Sequence, residues 1–304
     1  MEGSKLVAAA ADAAAGQQYP AAALYVVATP IGNLADVTLR ALHVLAIADA
    51  VACEDTRHSA ALLRHFAITK PLIALHAHNE RAASGTVLER LLRGERVAYV
   101  SDAGTPAVSD PGAELVAAVR AAGHRVIPIP GASSALAALS AAGDVGASEI
   151  TVVGFLPARS GERVRAVASV ARAASTQIVF EAPHRIAALA DALATACPTR
   201  RLTVCRELTK QFEAIDTMKA AAWPAWLAAD PHRSRGEFVV VLHATVDPEQ
   251  AVASAHDALL TPLLAALPLK QAVGLAAEIG GAPRNLLYAR ALELRSRSDD
   301  DEPA

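Results

Sequence analysis

Cysteine is scarce. Cys53, Cys197 and Cys205 are an odd number without a CxxC spacing, so neither a disulfide framework nor a thiolate zinc site is supported, and a reducing cytoplasm fits best. Long apolar runs are missing too. No stretch of about 18 uncharged apolar residues exists, since even Leu24 to Ala35 is broken by Thr29, Pro30, Gly32 and Asn33, and nothing reads as a bilayer-spanning helix. Charge of one sign is also lacking: the net −3 gives no global field for a polyanion, so a nucleic-acid partner would need local basic patches. Two nucleotide fingerprints, GxGxxG and GxxxxGK[ST], are absent, which disfavours the commonest dinucleotide and phosphate-loop folds.

The chain has 304 residues, with 53% hydrophobic and 19% charged, a globular balance in which alanine makes up roughly a quarter. That is room for two domains and a small module. Residues 1–21 carry Lys5 and then Leu6 to Ala11, but Asp12 interrupts too early for a secretory core, and the stretch reads as a disordered Ala-rich tail. Residues 22–145 alternate short apolar runs with helical spacings. Strands are expected at Leu24–Ala28, Asp49–Cys53, Leu72–Leu75, Arg96–Val100 and Arg125–Ile129, with helices between them, which implies a parallel sheet covered on both faces. Residues 146–245 repeat the alternation, with strands at Ile150–Gly154, Gln177–Glu181, Leu202–Arg206 and Glu237–Leu242. The fold class is therefore α/β, in two domains. After a linker at 245–250, residues 246–304 read as a helical module and acidic tail: Leu269–Ile279, then Gly280-Gly281-Ala282-Pro283, then Arg284–Leu294, a small helix-turn-helix shape.

Ligands of open α/β sheets collect at the carboxyl ends of strands. The loops there are the unusual ones. Thr29-Pro30-Ile31-Gly32-Asn33 lets a ligand approach backbone. Ser101-Asp102-Ala103-Gly104-Thr105-Pro106, continuing to Gly112, carries two carboxylates on a stiff loop of small residues, although Ser109 or Asp110 capping the next helix is the plainer explanation. Gly131-Ala132-Ser133-Ser134-Ala135 has part of a nucleophile elbow, but Ala135 replaces its final glycine and no triad order follows, so a cap or ligand contact is favoured. Glu54-Asp55-Thr56-Arg57-His58 concentrates ionisable groups at a strand-to-helix turn, where capping by Asp55 and local pairing of Arg57 is the plain alternative. His76 and His78 lack a third ligand, and no metal is expected. Arg159, Arg163 and Arg165, with Lys270, Arg284, Arg290, Arg295 and Arg297, supply local basic patches.

Taken together, Val27-Ala28-Thr29-Pro30-Ile31-Gly32-Asn33-Leu34, Glu54-Asp55-Thr56-Arg57, Ser101-Asp102-Ala103-Gly104-Thr105-Pro106, Gly154-Phe155-Leu156-Pro157, Glu181-Ala182-Pro183-His184-Arg185, Arg206-Glu207-Leu208-Thr209-Lys210 and Arg235-Gly236-Glu237 resemble the ribosomal RNA small subunit methyltransferase I family, a branch of the tetrapyrrole methylase-like fold. The resemblance runs from Leu24 to Leu294. It implies S-adenosylmethionine-dependent 2'-O-methylation of a cytidine ribose in the decoding region of 16S rRNA, on the 30S subunit, by a cytoplasmic homodimer. It also implies two α/β domains with a cofactor cleft between them. Carried over by motif, cofactor contacts fall on Pro30, Asp102, Thr105, Ser133, Ser134, Glu181, Leu208 and Gly236. Candidates for removing the hydroxyl proton are Asp55, Glu54, Glu207 and Lys210, with Asp55→Asn expected to cost turnover more than cofactor affinity. Candidates for RNA contact are Arg57, Arg159, Arg163, Arg206, Lys270, Arg284 and Arg290. The chain departs from the family at Ala132, Ser59, Arg159 and Asp144, where Pro, Thr, Lys and a larger apolar residue are expected. Two rival readings share these residues: a small-molecule or tetrapyrrole methyltransferase on the same fold, and a nucleic-acid-binding module built on the terminal helices.

Overall fold

Successive side chains of a strand point to opposite faces, so a strand buried on both sides must be apolar throughout. The first five strands approach that condition: the three central ones are buried, and the two edge ones leave Ala74, Arg125 and Pro128 exposed. They are β1 (Ala23–Val27), β2 (Ala50–Cys53), β3 (Leu72–Ala74), β4 (Val97–Val100) and β5 (Arg125–Ile129), all parallel, in the order β3-β2-β4-β1-β5. The computed structural model describes residues 2–76, 79–108, 111–245, 257 and 259–300. Tyr25, Val51 and Ala98 face one side, where α2 (Leu39–Ile47) and α3 (Thr56–His65) supply Leu42, Leu45 and Leu63, with Phe66 just beyond α3. Leu24, Ala52 and Tyr99 face the other side, against Val87 and Leu91 of α4 (Glu80–Leu92) and Leu115 and Val119 of α5 (Ala113–Ala121).

The second sheet holds β6 (Ile150–Phe155), β7 (Thr176–Glu181), β8 (Arg201–Arg206), β9 (Ala214–Lys219) and β10 (Phe238–Leu242), in the order β6-β7-β10-β8-β9. Only the β6 and β7 pair is parallel; the other three pairs are antiparallel. One face packs on α7 (Ser160–Arg172), α8 (Ile186–Ala196) and α9 (Trp223–Ala228), with Trp223 fully buried. The opposite face receives α6 (Ser134–Ala142), whose Ala135, Ala138 and Ala142 lie in one cluster with Ile178, Cys205, Val239 and Val241. Ile31 and Leu208 join that cluster, so loops from the two sheets share a core.

The N-terminal stretch is a correction to the sequence reading. Glu2–Ala14 forms helix α1, and Ala10 sits without exposure in the core beside α2. Alanine conceals such packing: small side chains allow close helix approach with little apolar signal. A Cβ on Gly3 would come within 2.6 Å of the His65 carbonyl oxygen, which shows how near α1 runs to the end of α3. An Ala10→Glu variant is expected to lose about 2 kcal/mol or more, because a buried carboxylate gains no partner there. Urea denaturation measures it, and an unchanged midpoint would return the stretch to the status of a tail.

The contacts divide the chain after His243. The second unit is helical over residues 259–266, at Leu269–Gly280 and at Arg284–Asp300, around a core of Leu260, Val273, Ala276, Leu287 and Ala291. Gly281 at φ +67° ends its middle helix, as a left-handed C-cap does. Four sequence expectations lie outside the described residues: His78, the capping pair Ser109 and Asp110, linker residues 246–250, and the acidic residues 301–304. Among the described residues, no helix is long and apolar enough to cross a membrane.

Candidate functional site

The carboxyl ends of β1 and β4 are tied by backbone: Thr29 N–H donates to Gly104 O at 2.9 Å, and Gly104 N–H to Thr29 O at 3.1 Å. Gly104 holds φ +80° there, with the Ile31 side chain against it. Asp102 Oδ1 accepts the Asp55 N–H at 3.1 Å, which ties in the end of β2, and Thr105 Oγ1 donates to Ala132 O at 3.1 Å, which ties in the turn before α6. These bonds hold one wall of a cavity of about 440 Å³. The other wall comes from the second sheet: Phe155 ending β6, Phe180 and Glu181 of β7, then Ala182 and Pro183, and Glu237 to Val239 opening β10. Phe155 and Phe180 stack edge to face, with centroids 5.6 Å apart. Volume and lining suit a small molecule with one flat apolar part and several polar groups.

Asp102, Thr105, Ser133, Ser134 and Glu181 all border this cavity. Leu208 borders a smaller adjoining one of about 80 Å³, with Ile31, Ala103, Ser134 and Glu237. Pro30 and Gly236 border neither, although each adjoins a residue that does. Sequence reasoning gives Glu237 no role, although it stands at a strand start and in one of the motifs that carry the resemblance. It borders both cavities, and the signal for it is its place in Arg235-Gly236-Glu237 at a strand end.

The candidate bases fare differently. Asp55 caps α3, accepting the Arg57 N–H at 2.8 Å, and its carboxylate pairs with the Arg57 guanidinium at 3.0 Å. Those hydrogen bonds, side-chain first and then backbone, hold the carboxyl at about 2, and neither Asp55 nor Glu54 borders the cavity. A carboxylate so acidic takes up a proton poorly near neutrality, which, with its place outside the cavity lining, counts against its assignment as base. Glu207 Oε1 accepts from Lys210 Nζ at 2.9 Å and from the Glu237 N–H at 2.9 Å. Burial opposes its charge, but these donors outweigh burial and lower its pKa; it fastens two loops together rather than facing the cavity. Lys210 also reaches Glu237 Oε2 at 2.9 Å. Burial works against its charge as well, yet the two carboxylates raise its pKa, which favours the ammonium over the free amine a base would need.

Three of the arginines expected on RNA are committed elsewhere. Arg163 is mostly buried, 2.6 Å from Glu181. Arg206 donates to the carbonyls of Phe212 at 2.8 Å and Arg235 at 3.4 Å, closing the loop between β8 and β9. Arg290 makes a two-pronged pair with Asp257, both contacts 2.7 Å, inside the helical unit. Arg159 remains exposed beside Glu162 at 3.7 Å, Arg284 beside Glu278 at 3.7 Å, and Lys270 is exposed; Arg57 is exposed but paired with Asp55. Asp144, where a larger apolar residue was expected, has a buried side chain: its Oδ2 accepts from Thr176 Oγ1 at 2.7 Å, and His243 lies 3.9 Å away. Among the described residues no cluster of three His, Cys, Asp or Glu side chains is arranged for a metal ion.

Residues 23–222 match the tetrapyrrole (corrin/porphyrin) methylase family, and residues 250–295 match the RsmI C-terminal HTH domain. The chain is 47% identical over 281 residues to ribosomal RNA small subunit methyltransferase I of Pseudomonas aeruginosa, covering 91% of this chain and 99% of that one. Among solved structures it is similar to a cobalt precorrin-4 methyltransferase of cobalamin biosynthesis, with a TM-score of 0.54, 19% identity, and 72% of this chain and 94% of that one covered. It is also similar to uroporphyrin-III C-methyltransferase from Thermus thermophilus complexed with S-adenosyl homocysteine, with a TM-score of 0.51, 18% identity, and 73% and 97% covered.

Proposed function

Because this chain belongs to the ribosomal RNA small subunit methyltransferase I family, on the tetrapyrrole methylase fold, we propose that it methylates the 2'-hydroxyl of a cytidine ribose in the decoding region of 16S rRNA, with S-adenosylmethionine as donor, acting on the 30S subunit as a cytoplasmic homodimer. The observation that carries the reading is where the similarity extends. The two tetrapyrrole enzymes cover 72% and 73% of the chain, whereas the ribosomal RNA relative covers 91%, and a helix-turn-helix match takes in residues 250–295. A small-molecule enzyme has no need of the added helical unit. A binding module alone has no need of the α/β body and its cavity.

The cavity fits the proposed donor. Its aromatic pair, Phe155 and Phe180, and the apolar Val239 suit a purine; the carboxylate of Asp102 suits ribose hydroxyls; and the exposed Ala103 suits polar ends. S-adenosylmethionine supplies a methyl group already activated on a sulfonium sulfur. What remains for the protein is to hold the ribose hydroxyl in line and drain its proton as the O–C bond forms and the S–C bond breaks. Glu237 serves that role best: it borders the cavity, its side chain is 77% exposed, and Lys210 steadies one oxygen. Of the candidate RNA contacts, Arg159, Lys270 and Arg284 are exposed and placed to meet RNA phosphate, with Arg57 available where phosphate displaces Asp55.

The test is transfer of radiolabelled methyl from S-adenosylmethionine to 30S subunits lacking the modification, followed by nuclease digestion and mass spectrometry. Label on the ribose of a decoding-site cytidine supports the reading. No label on 30S subunits or 16S rRNA, despite measured cofactor binding, moves the activity to tetrapyrrole or other small acceptors. In the same assay Glu237→Gln is expected to lower kcat about 100-fold while leaving the Kd for S-adenosylhomocysteine within about twofold. An equal loss in both would make Glu237 a binding residue and not the base.

A further inference from the structure

Glu181 ends β7 and borders the cavity, yet its side chain has no solvent exposure. Its Oε2 accepts from Arg163 Nη2 at 2.6 Å. Its Oε1 lies 3.1 Å from Arg185 Nε and accepts the Ala182 N–H at 2.9 Å. A carboxylate so enclosed has little left to offer a ligand directly. Arg185 does more than pair: its Nη2 donates to Leu156 O at 2.6 Å and Pro157 O at 3.1 Å, in the exit of β6 just past Phe155. One guanidinium therefore joins the ends of two neighbouring strands, and Arg163, rising from α7, presses the shared carboxylate from the other side.

We infer that Arg163 and Arg185 are positioning residues for cofactor binding, acting through the buried Glu181 carboxylate to fix the β6 and β7 exits, which present Phe155 and the Ala182-Pro183 backbone to the cavity. The inference rests on the methyltransferase reading only for the identity of the cofactor. An ion triad taken out of water is costly, and apolar residues of similar volume would pack the space at least as well. The triad adds direction: the guanidinium is a flat fork with donors at fixed angles, and an ammonium cannot address both Glu181 and the Leu156 and Pro157 carbonyls. A small displacement of either exit would move an aromatic wall and a backbone wall of the cavity together.

The experiment measures the Kd for S-adenosylhomocysteine by calorimetry, the cofactor KM and kcat on 30S subunits, RNA affinity, and the melting temperature, in the full-length protein. Arg163→Met is expected to raise both Kd and KM about tenfold, with kcat at saturating cofactor within about twofold. Arg163→Lys recovers most of that loss, since a single ammonium still meets Glu181. Arg185→Lys does not recover affinity, because it abandons the β6 exit. If Arg163→Met fails to fold, the two lysine variants decide the matter by the contrast between them. Weakened RNA affinity with an unchanged cofactor Kd would overturn the inference and restore Arg163 as a phosphate contact. Equal cofactor affinity in wild type and all variants would overturn it as well. A wild-type protein that binds no S-adenosylhomocysteine would instead overturn the methyltransferase reading on which the cofactor's identity rests.

Discussion

Replacing Arg200 with methionine is expected to destabilise the protein by about 4 kcal/mol or more. Arg200 is 6% exposed. Its guanidinium donates to five backbone carbonyls: those of Val170, Ala171 and Ala173 at the end of α7, of Ser175 just before β7, and of His243 just after β10. Burial lowers its pKa, with Asp144 working in the opposite direction, but a guanidinium remains charged near neutrality. Methionine fills a similar volume and removes every donor, so carbonyls at three segment ends lose their partners in a place with little water. Each such loss costs about 1–3 kcal/mol, and local relaxation offsets part of the total. Arg200→Lys, with one donor group in place of a fork, is expected to recover less than half. Guanidinium titration followed by circular dichroism gives the numbers. A loss below about 1 kcal/mol would mean that water reaches these carbonyls and that the arginine is not the tie.

Little in the sequence marks Arg200, and the reason is general. The residue acts on backbone carbonyls distant in sequence, and carbonyls carry no residue identity. What the sequence does show is periodicity. Arg125–Ile129 appears at its expected limits, because a β-branched run is a local property. Strand β9 was not anticipated. It lies at a sheet edge, and Ala-Ile-Asp-Thr-Met-Lys alternates partly buried with exposed residues too weakly for a short segment to stand out. The antiparallel pairing of the second sheet was likewise out of reach, since alternation of strands with helices does not fix the direction of each strand.

The site was legible to a similar degree. Loops of small residues at strand ends stood out as candidate ligand loops because they were too polar to read as packing elements, and Asp102, Thr105, Ser133 and Ser134 border one cavity. That Glu237 borders the same cavity was not legible. Arg163 and Glu181 are 18 residues apart in sequence, and only the packing of α7 beside the end of β7 turns an apparent surface patch into a buried pair. Charge clusters read from sequence count cations without subtracting those that the fold has already spent.

Gly236→Ala is expected to be comparably damaging, and it separates backbone strain from side-chain displacement. Gly236 holds φ +91°, and an added Cβ would stand 2.5 Å from Glu207 Cγ and 2.6 Å from both Cδ and Oε1. The backbone conformation alone costs a non-glycine residue about 1–2 kcal/mol. The collision adds about 1–3 kcal/mol if it forces the Glu207 side chain aside. That carboxylate receives both Lys210 and the Glu237 N–H, so its movement loosens the ammonium that steadies Glu237. The variant should therefore lose about 2–4 kcal/mol of stability and much of its methyl transfer at once. Adding Glu207→Ala to Gly236→Ala removes the obstacle and leaves only the conformational part. The double variant should then be destabilised by less than the sum of the two single changes, by about 1 kcal/mol or more in a double-mutant cycle. Strict additivity would show that Gly236 is required for its backbone angle alone, and that the Glu207 carboxylate yields to a methyl group without disturbing Lys210 or Glu237.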